Sequence, residues 1–247
     1  MLSINELQFD LPGRSLLSKV SAQFHSGTIT CLLGGNGSGK TTLLNLISGF
    51  VKPDAGSVWL GEIELTGRPP YQISRFGVAR TFQDLRLIGK LSVRDNLLLA
   101  LTDRSDDRLV RALMPSALFD NSAVSRERNA EAILADYFLD GVASQAASEL
   151  SYGQQKLLTL ACCAAKSADV LLLDEPVAGV SPSYREVIAG RMGMLKSKGK
   201  IVLIVEHQPD FVERIGDVFL HLHEGQLRKF DTYSEVRSAG FELSAIS

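Results

Sequence analysis

The chain is poor in cysteine, in long apolar runs and in any targeting segment. Its 247 residues include three cysteines, and no two of them form a C-x-x-C pair. This small, odd number argues against a disulfide framework or a zinc ribbon and suits a reducing compartment. No uncharged run approaches the ~18–20 apolar residues that span a bilayer, and the first ten residues lack the basic and apolar regions of a signal peptide. We expect a cytosolic chain that reaches a membrane only through a partner.

The sequence also lacks an excess of either charge. Twenty-six basic residues face 28 acidic residues, for a net charge of −2. Nothing in this balance favours nucleic acid as a partner. No internal repeat is present, and ordinary glycine and proline contents exclude collagen and low-complexity disorder. With 45% apolar residues, a chain of this length can bury a full core without disulfides or a structural metal.

Hydrophobic periodicity divides the chain into three stretches. Strand-like alternation fills the first 33 residues of a first stretch (1–88), and helical patterns dominate a second stretch (89–166). From residue 167 apolar strands alternate with helices, which is typical of a parallel sheet covered on both faces. We therefore predict an α/β fold with an N-terminal antiparallel β subdomain and an inserted α-helical subdomain. The predicted helices are 40–50, 93–101, 108–113, 127–139, 151–166, 183–197 and 209–215, and the later predicted strands are 57–60, 78–82, 170–173, 201–205 and 218–222.

A glycine-rich loop separates the apolar run at residues 29–33 from the first predicted helix. Residues 34–41, GGNGSGKT, match G-x-x-x-x-G-K-[ST] at every specified position. In such a loop backbone N–H groups converge on phosphate oxygens, and the helix N-terminus adds positive partial charge. Lys40 is predicted to reach the β- and γ-phosphates of ATP, and Thr41 to bind Mg²⁺. A dinucleotide-binding loop would have no use for this Lys-Thr pair. The predicted nucleotide-binding residues are Gly34, Gly35, Asn36, Gly37, Ser38, Gly39, Lys40, Thr41 and Thr42.

Two carboxylates follow a second apolar strand. Asp174 and Glu175 end the run that starts at Val170. One carboxylate can orient the shell of a Mg²⁺ ion, and the next can position or deprotonate the attacking water. The pattern is weak alone and strong beside a phosphate loop. We predict Asp174 at the metal, through water, and Glu175 as the catalytic base.

Several short motifs then occur in a fixed order. Residues 150–155, LSYGQQ, resemble the Leu-Ser-Gly-Gly-Gln signature of ATP-binding cassette (ABC) ATPases, with Tyr152 in place of a glycine. Gln83 matches the Q-loop of that family, His207 its switch histidine, and Phe9 the aromatic that stacks on adenine. The resemblance covers essentially the whole chain. A GTPase would need an Asn-Lys-x-Asp element, which is lacking here, and a small-molecule kinase would need no signature.

The resemblance implies roles for these residues. Gln83 would bind Mg²⁺ or water and, with His207, sense the γ-phosphate. The signature residues would face ATP held by a second cassette, so that a closed site needs two chains. Ser181 stands where most cassettes carry an aspartate. The signature residues singled out in this way are Ser151, Gly153 and Gln154.

The residues around Gln83 indicate which group of ABC ATPases the chain resembles most. Residues 80–87 and 91–98 are similar to the cassettes of branched-chain amino-acid importers, and urea and short-amide importers share much of this pattern. This implies a single cassette over residues 1–247, peripheral at the cytoplasmic face of the cell membrane. Its expected partners are permease subunits, a second cassette and, indirectly, a solute-binding protein. A non-transport ABC ATPase and a kinase remain the alternatives.

Overall fold

Strands and helices alternate along most of the chain, as the periodicity predicts. The structure is a computed structural model that describes residues 1–82, 85–102, 117–166 and 168–241. The strands are β1 (Leu2–Leu11), β2 (Arg14–Phe24), β3 (Thr28–Leu33), β4 (Ala55–Leu60), β5 (Ile63–Glu64), β6 (Val78–Arg80), β7 (Val170–Asp174), β8 (Ile201–Val205), β9 (Val218–His223) and β10 (Gln226–Phe230). The helices are α1 (Lys40–Ile47), α2 (Pro70–Arg75), α3 (Val93–Leu101), α4 (Ala117–Asp136), α5 (Tyr152–Ala165), α6 (Pro182–Ser197), α7 (Pro209–Ile215) and α8 (Tyr233–Ser238).

The chain divides into two compact units. The first comprises Met1–Gln83, Ala168–Ala178 and Ile188–Ser247, and the second comprises Asp84–Ser167 and Gly179–Val187. The first unit therefore contains both β-sheets, and the second is built mainly from helices. The fold class predicted from the sequence, an α/β core with an antiparallel β subdomain and inserted helices, is confirmed.

The first unit contains two sheets of different character. One is antiparallel, with the strand order β2-β1-β4-β5. The other has the order β10-β9-β3-β8-β7-β6 and is parallel except for the β9–β10 pair at its edge. Every residue of β7 and β8 is buried, as expected for inner strands of a parallel sheet covered on both faces. The ends of β3, β7 and β8 lie side by side, which brings the residues after them together.

Helix α1 packs into the core of this unit. Leu43, Leu44, Leu46 and Ile47 are buried and belong to one hydrophobic cluster with residues of β1, β3, β7 and β8. Their spacing places them on one side of the helix. This packing fixes the N-terminus of α1 at the end of β3.

The second unit is held together around α3. This helix packs against α4 and α5. Asn96, buried on α3, accepts a hydrogen bond from the Ile88 N–H and donates to the carbonyls of Ile88, Leu91 and Ser92. One amide side chain therefore orders the segment that precedes the helix. Among the described residues, no helix is long and apolar enough to cross a membrane.

Several element bounds differ from the sequence-based expectation. Helix α4 starts ten residues before the predicted Glu127 and ends at Asp136, because Phe138 adopts a left-handed conformation (φ 55°) that terminates it. The strand predicted from Ser57 starts at Ala55. Elements β5, α2, β10 and α8 were not predicted. The helix predicted at 108–113 lies outside the described residues.

Candidate nucleotide-binding and catalytic site

The loop between β3 and α1 has the backbone that a phosphate-binding loop needs. Gly34 has φ 145°, and a Cβ there would collide with the carbonyl oxygen of Leu222 on the adjacent strand β9. Only glycine fits at this position. Gly39 is the N-cap of α1 with φ 106°, and no described side chain caps that helix. The first N–H groups of α1 are therefore left to bind an anion, as at other helix N-termini.

Lys40 points into this loop. Its side chain is buried, and Nζ donates hydrogen bonds to the carbonyl oxygens of Gly34 (2.7 Å) and Gly35 (2.9 Å). Burial lowers the pKa of Lys40, while the nearby carboxylates of Glu175 and Asp174 oppose that change. The ammonium group thus lies between the loop backbone and the two acidic residues, where the sequence predicts the terminal phosphates.

Ser38 supplies a further polar atom in the loop. Its Oγ is buried and has no hydrogen-bond partner among the described residues. A buried hydroxyl without a partner loses free energy, and native proteins usually avoid this. A phosphate oxygen at the loop would satisfy this hydroxyl. The residues present therefore fit a nucleotide phosphate.

Asp174 ends β7 next to α1. It is buried and lies 3.5 Å from Nη2 of Arg80, which also donates hydrogen bonds through Nη1 to Asn45 and Ser48 on α1 and its C-cap. Burial raises the pKa of Asp174. The Arg80 charge and hydrogen bonds from Arg80 and the Thr41 side chain act in the opposite direction. Thr41 and Asp174 are thus adjacent, as expected for a shared Mg²⁺ site.

Glu175 occupies an unusual backbone conformation. Its φ of 48° lies in the left-handed region, which costs a non-glycine residue about 1–3 kcal/mol. Its N–H donates to the carbonyl of Val205 (2.9 Å). The turn directs the side chain towards His207, and Glu175 Oε1 lies 3.5 Å from His207 Nε2. Burial and the Lys40 charge lower the pKa of His207, against the influence of Glu175. The lowered pKa favours the neutral imidazole.

The signature segment lies at the start of α5, in the second unit. Ser151 is the N-cap and forms a capping box with Gln154: Ser151 Oγ accepts from the Gln154 N–H, and Gln154 Oε1 accepts from the Ser151 N–H. Gly153 is buried beneath the ring of Tyr184, where a Cβ would come within 2.6 Å of a ring carbon. The glycine therefore permits Tyr184 to pack on α5.

Comparison with known proteins agrees with this geometry. A family model described as "ABC transporter" matches residues 17–178. The chain is 32% identical to the high-affinity branched-chain amino acid transport ATP-binding protein LivG of Salmonella typhimurium, over 96% of this chain and 94% of that protein. It is 36% identical to a probable LivG of Archaeoglobus fulgidus, over 88% and 83%. A crystal structure of the ADP conformation of an ATP-binding cassette matches with a TM-score of 0.80 and 28% identity, over 96% of this chain and 93% of that one.

The chain belongs to the ABC transporter family. The match begins within β2 and ends after Glu175, so it includes the phosphate loop, the signature helix and the acidic strand. The family identified from the residues is therefore confirmed.

Two predicted site residues of this cassette need separate comment. Gln83 lies outside the described residues, and its role stays a prediction. Phe9, on β1, is half-buried and packs against the hydrophobic core of the first unit. This packing favours a core role for Phe9, and stacking on adenine also stays a prediction.

Sequence reasoning missed three residues that contact the cassette motifs. Arg14, at the start of β2, donates to the carbonyl of Gly37 in the phosphate loop (3.3 Å). Arg80 pairs with Asp174, and Glu206 accepts hydrogen bonds beside Glu175 and His207. Only Arg80 had a sequence signal, because it adjoins the Q-loop motif. The other two act across long separations in the chain.

Proposed function

We propose that this chain is the ATP-hydrolysing, energy-coupling subunit of an ABC importer for branched-chain amino acids. The observation that carries this proposal is the full-length similarity to LivG proteins of bacteria and archaea. These relatives are described as branched-chain amino acid transport ATP-binding proteins. The clustering of Lys40, Asp174, Glu175 and His207 in one unit supports the hydrolytic part of the proposal.

The chemistry follows from the positions of these side chains. Lys40 and the N–H groups of the phosphate loop bind the β- and γ-phosphates and withdraw charge from the bond that breaks. Glu175 orients a water molecule and takes its proton as the water oxygen attacks the γ-phosphorus and ADP leaves. Neutral His207 donates a hydrogen bond to the γ-phosphate and holds Glu175 in line.

A Mg²⁺ ion fits the same site. The hydroxyl of Thr41 would hold it together with Gln83, and the carboxylate of Asp174, adjacent to Thr41 in the structure, would hold it through water. Oxygen ligands of this kind are those that Mg²⁺ prefers. When bound, the ion neutralises charge on the β- and γ-phosphate oxygens.

The cassette functions as half of a pair. We propose that Ser151, Gly153 and Gln154 face the ATP of a second cassette, which is either another copy or a sister chain, and that Ser181 lies in the loop between the two sites. The pair docks on permease subunits at the cytoplasmic face of the membrane, and a solute-binding protein delivers the solute. Within the single cassette of residues 1–247 we propose a core with a β subdomain (1–88), a helical signature subdomain (89–166) and a core with the switch histidine (167–247).

Solute uptake tests the whole proposal. The chain is expressed together with its neighbouring genes, in a host that lacks branched-chain amino-acid uptake. We expect accumulation of labelled leucine that Glu175→Gln abolishes, because no base remains to activate water. The control is Glu213→Gln, the same substitution at an exposed position on α7, which should leave uptake unchanged.

The same assay distinguishes the alternatives. Accumulation of labelled urea or acetamide, with no leucine uptake, would instead identify a urea or short-amide importer. Failure of the chain to sediment with membranes from the co-expressing cells would indicate a non-transport ABC ATPase.

A further inference from the structure

One buried carboxylate in the first unit has no role in the mechanism described above. Glu206 follows β8, immediately before His207, and only 1% of its surface is exposed. Burial raises its pKa, and backbone hydrogen bonds act in the opposite direction. A carboxyl group is rarely retained at such a depth unless specific partners hold it.

The partners of Glu206 belong to two separate segments of the chain. The N–H of Val177 donates to Oε1 (2.9 Å), and the N–H of His207 donates to Oε2 (2.8 Å). The N–H of Gln208 adds a third hydrogen bond. One side chain thus joins the turn after Glu175 to the segment that carries His207.

The turn after Glu175 needs such support. Glu175 is left-handed (φ 48°), a conformation that persists only where the surrounding structure holds it. Its N–H is bonded to the carbonyl of Val205 on one side. Two residues further on, the Val177 N–H meets Glu206 and the Val177 carbonyl accepts from Nε2 of Gln208 (3.4 Å).

We propose that Glu206 is a positioning residue for ATP hydrolysis, which holds the Glu175 turn and the His207 backbone in fixed relation. The inference rests on the roles proposed above for Glu175 and His207. It assigns Glu206 no contact with ATP or water. Its effect is to keep the 3.5 Å separation between Glu175 Oε1 and His207 Nε2, on which the alignment of the attacking water depends.

Glutamine in place of Glu206 provides a sharp test. The amide has the same shape, but its nitrogen cannot accept a hydrogen bond. Because the N–H groups of Val177 and His207 donate to different carboxyl oxygens, Glu206→Gln keeps one of these two hydrogen bonds and places N–H against N–H at the other. The substitution therefore releases one segment from the other without opening a cavity.

The experiment measures kcat of the assembled cassette pair, and the Kd for Mg·ATP and the melting temperature of the full-length chain. Each rate is divided by the number of ATP-binding sites titrated in the same sample, so partial unfolding does not lower kcat. We expect Glu206→Gln to lower kcat by about 10-fold or more with the Kd within about twofold. The exposed matched control, Glu213→Gln, should leave both unchanged.

A double-mutant cycle with His207→Ala separates positioning from mere stabilisation. If Glu206 acts through His207, adding Glu206→Gln to His207→Ala should lower kcat by less than about twofold more. The inference would be overturned if Glu206→Gln left kcat unchanged or raised the Kd for Mg·ATP as kcat fell. It would also be overturned if Glu206→Gln lowered kcat equally in wild type and in His207→Ala. If His207→Ala alone leaves kcat unchanged, the failure lies in the proposed role of His207 instead.

Discussion

Buried charged residues mark the functional part of the first unit. Lys40, Asp174 and Glu206 are exposed by 6%, 2% and 1%, where an unpaired charge would be strongly destabilising. Each has a partner in the same unit. Lys40 donates to loop carbonyls, Asp174 pairs with Arg80, and Glu206 accepts hydrogen bonds from backbone N–H groups. The motifs predict Lys40 and Asp174, because both adjoin recognisable local patterns. Arg80 and Glu206 owe their roles to contacts 94 and 29 residues away in the chain, which no local pattern encodes.

Loss of the Lys40 ammonium should abolish tight nucleotide binding. We expect Lys40→Ala to weaken Mg·ATP binding by about 10- to 100-fold, because charge-assisted hydrogen bonds to phosphate contribute roughly 1.5–3 kcal/mol. Fluorescence or calorimetric titration measures the change. Lys52→Ala, at an exposed position, is the matched control. Equal ATP affinities for Lys40→Ala and wild type would show that the loop does not bind the triphosphate through this lysine.

Among the elements, the N-terminus of α5 combines a local capping interaction with a tertiary packing contact. The capping box of Ser151 and Gln154 is local and follows from their spacing. The packing of Tyr184 over Gly153 is not local, and it changes how the signature can be tested. An acidic side chain at Gly153 would displace the Tyr184 ring, so a defect there would mix steric damage with charge repulsion. Ser151 is exposed and does not have this problem.

Substitutions at Ser151 should isolate the charge effect at the dimer interface. In a Glu175→Gln background, which preserves bound ATP, we expect an ATP-dependent dimer, of the chain with itself or with its sister cassette, by size-exclusion chromatography with light scattering. Adding Ser151→Asp should abolish the dimer, because the carboxylate faces the triphosphate of the partner in a partly desolvated site. Aspartate is as good an N-cap as serine, so α5 itself is preserved.

Ser151→Asn is the matched control for that experiment. It keeps the N-cap and adds no charge, so most of the ATP-dependent dimer should remain. ATP binding by each monomer should be the same in all three chains. A dimer that survives Ser151→Asp would place the signature away from the ATP of the partner.

At the scale of the whole molecule, the C-terminal part of the first unit is organised around a buried histidine. His221, on β9, stacks on Phe241 with ring centroids 4.0 Å apart, and its Nδ1 has no hydrogen-bond partner among the described residues. His221 and His223 share one face of β9, where the sequence favours a solvated strand over a metal site. Solvent exposure is correct for His223 and wrong for His221, because the ring of Phe241, after α8, covers His221. Within the described residues, no group of three or more potential ligands forms a metal site.

Burial of His221 should make stability depend on pH. Burial, chiefly, with the charges of His223, Lys40 and Arg228, lowers the pKa of His221 to about 4. Below its ordinary pKa of 6.5, the unfolded chain binds a proton at this position that the folded chain does not bind. His221 therefore makes its full contribution to the free energy of unfolding above pH 6.5. That contribution is lost as the pH falls towards 4, by up to about 1.4 kcal/mol per pH unit.

Urea denaturation at pH 7 and pH 5 measures this contribution. Asp174 and Glu206 have raised pKa values and act in the opposite direction, so the comparison is between variants. From pH 7 to pH 5, we expect the free energy of unfolding of His221→Gln to fall by about 1–2 kcal/mol less than that of wild type. His25→Gln, at an exposed position outside these contacts, should behave like wild type. Equal decreases in the free energy of unfolding of wild type and His221→Gln would contradict the lowered pKa of His221.

The sequence by itself determined the family, the phosphate loop, the acidic strand and the positions of most helices and inner strands. These features are local: glycine spacing, capping residues and apolar periodicity act over a few residues, so α3, α7 and β8 have the predicted bounds. Tertiary structure alone decided the pairing of Arg80 with Asp174, the connection made by Glu206 and the burial of His221. Each depends on residues that only chain folding brings together, and the energy of such contacts comes from desolvation and packing, which a local pattern does not record.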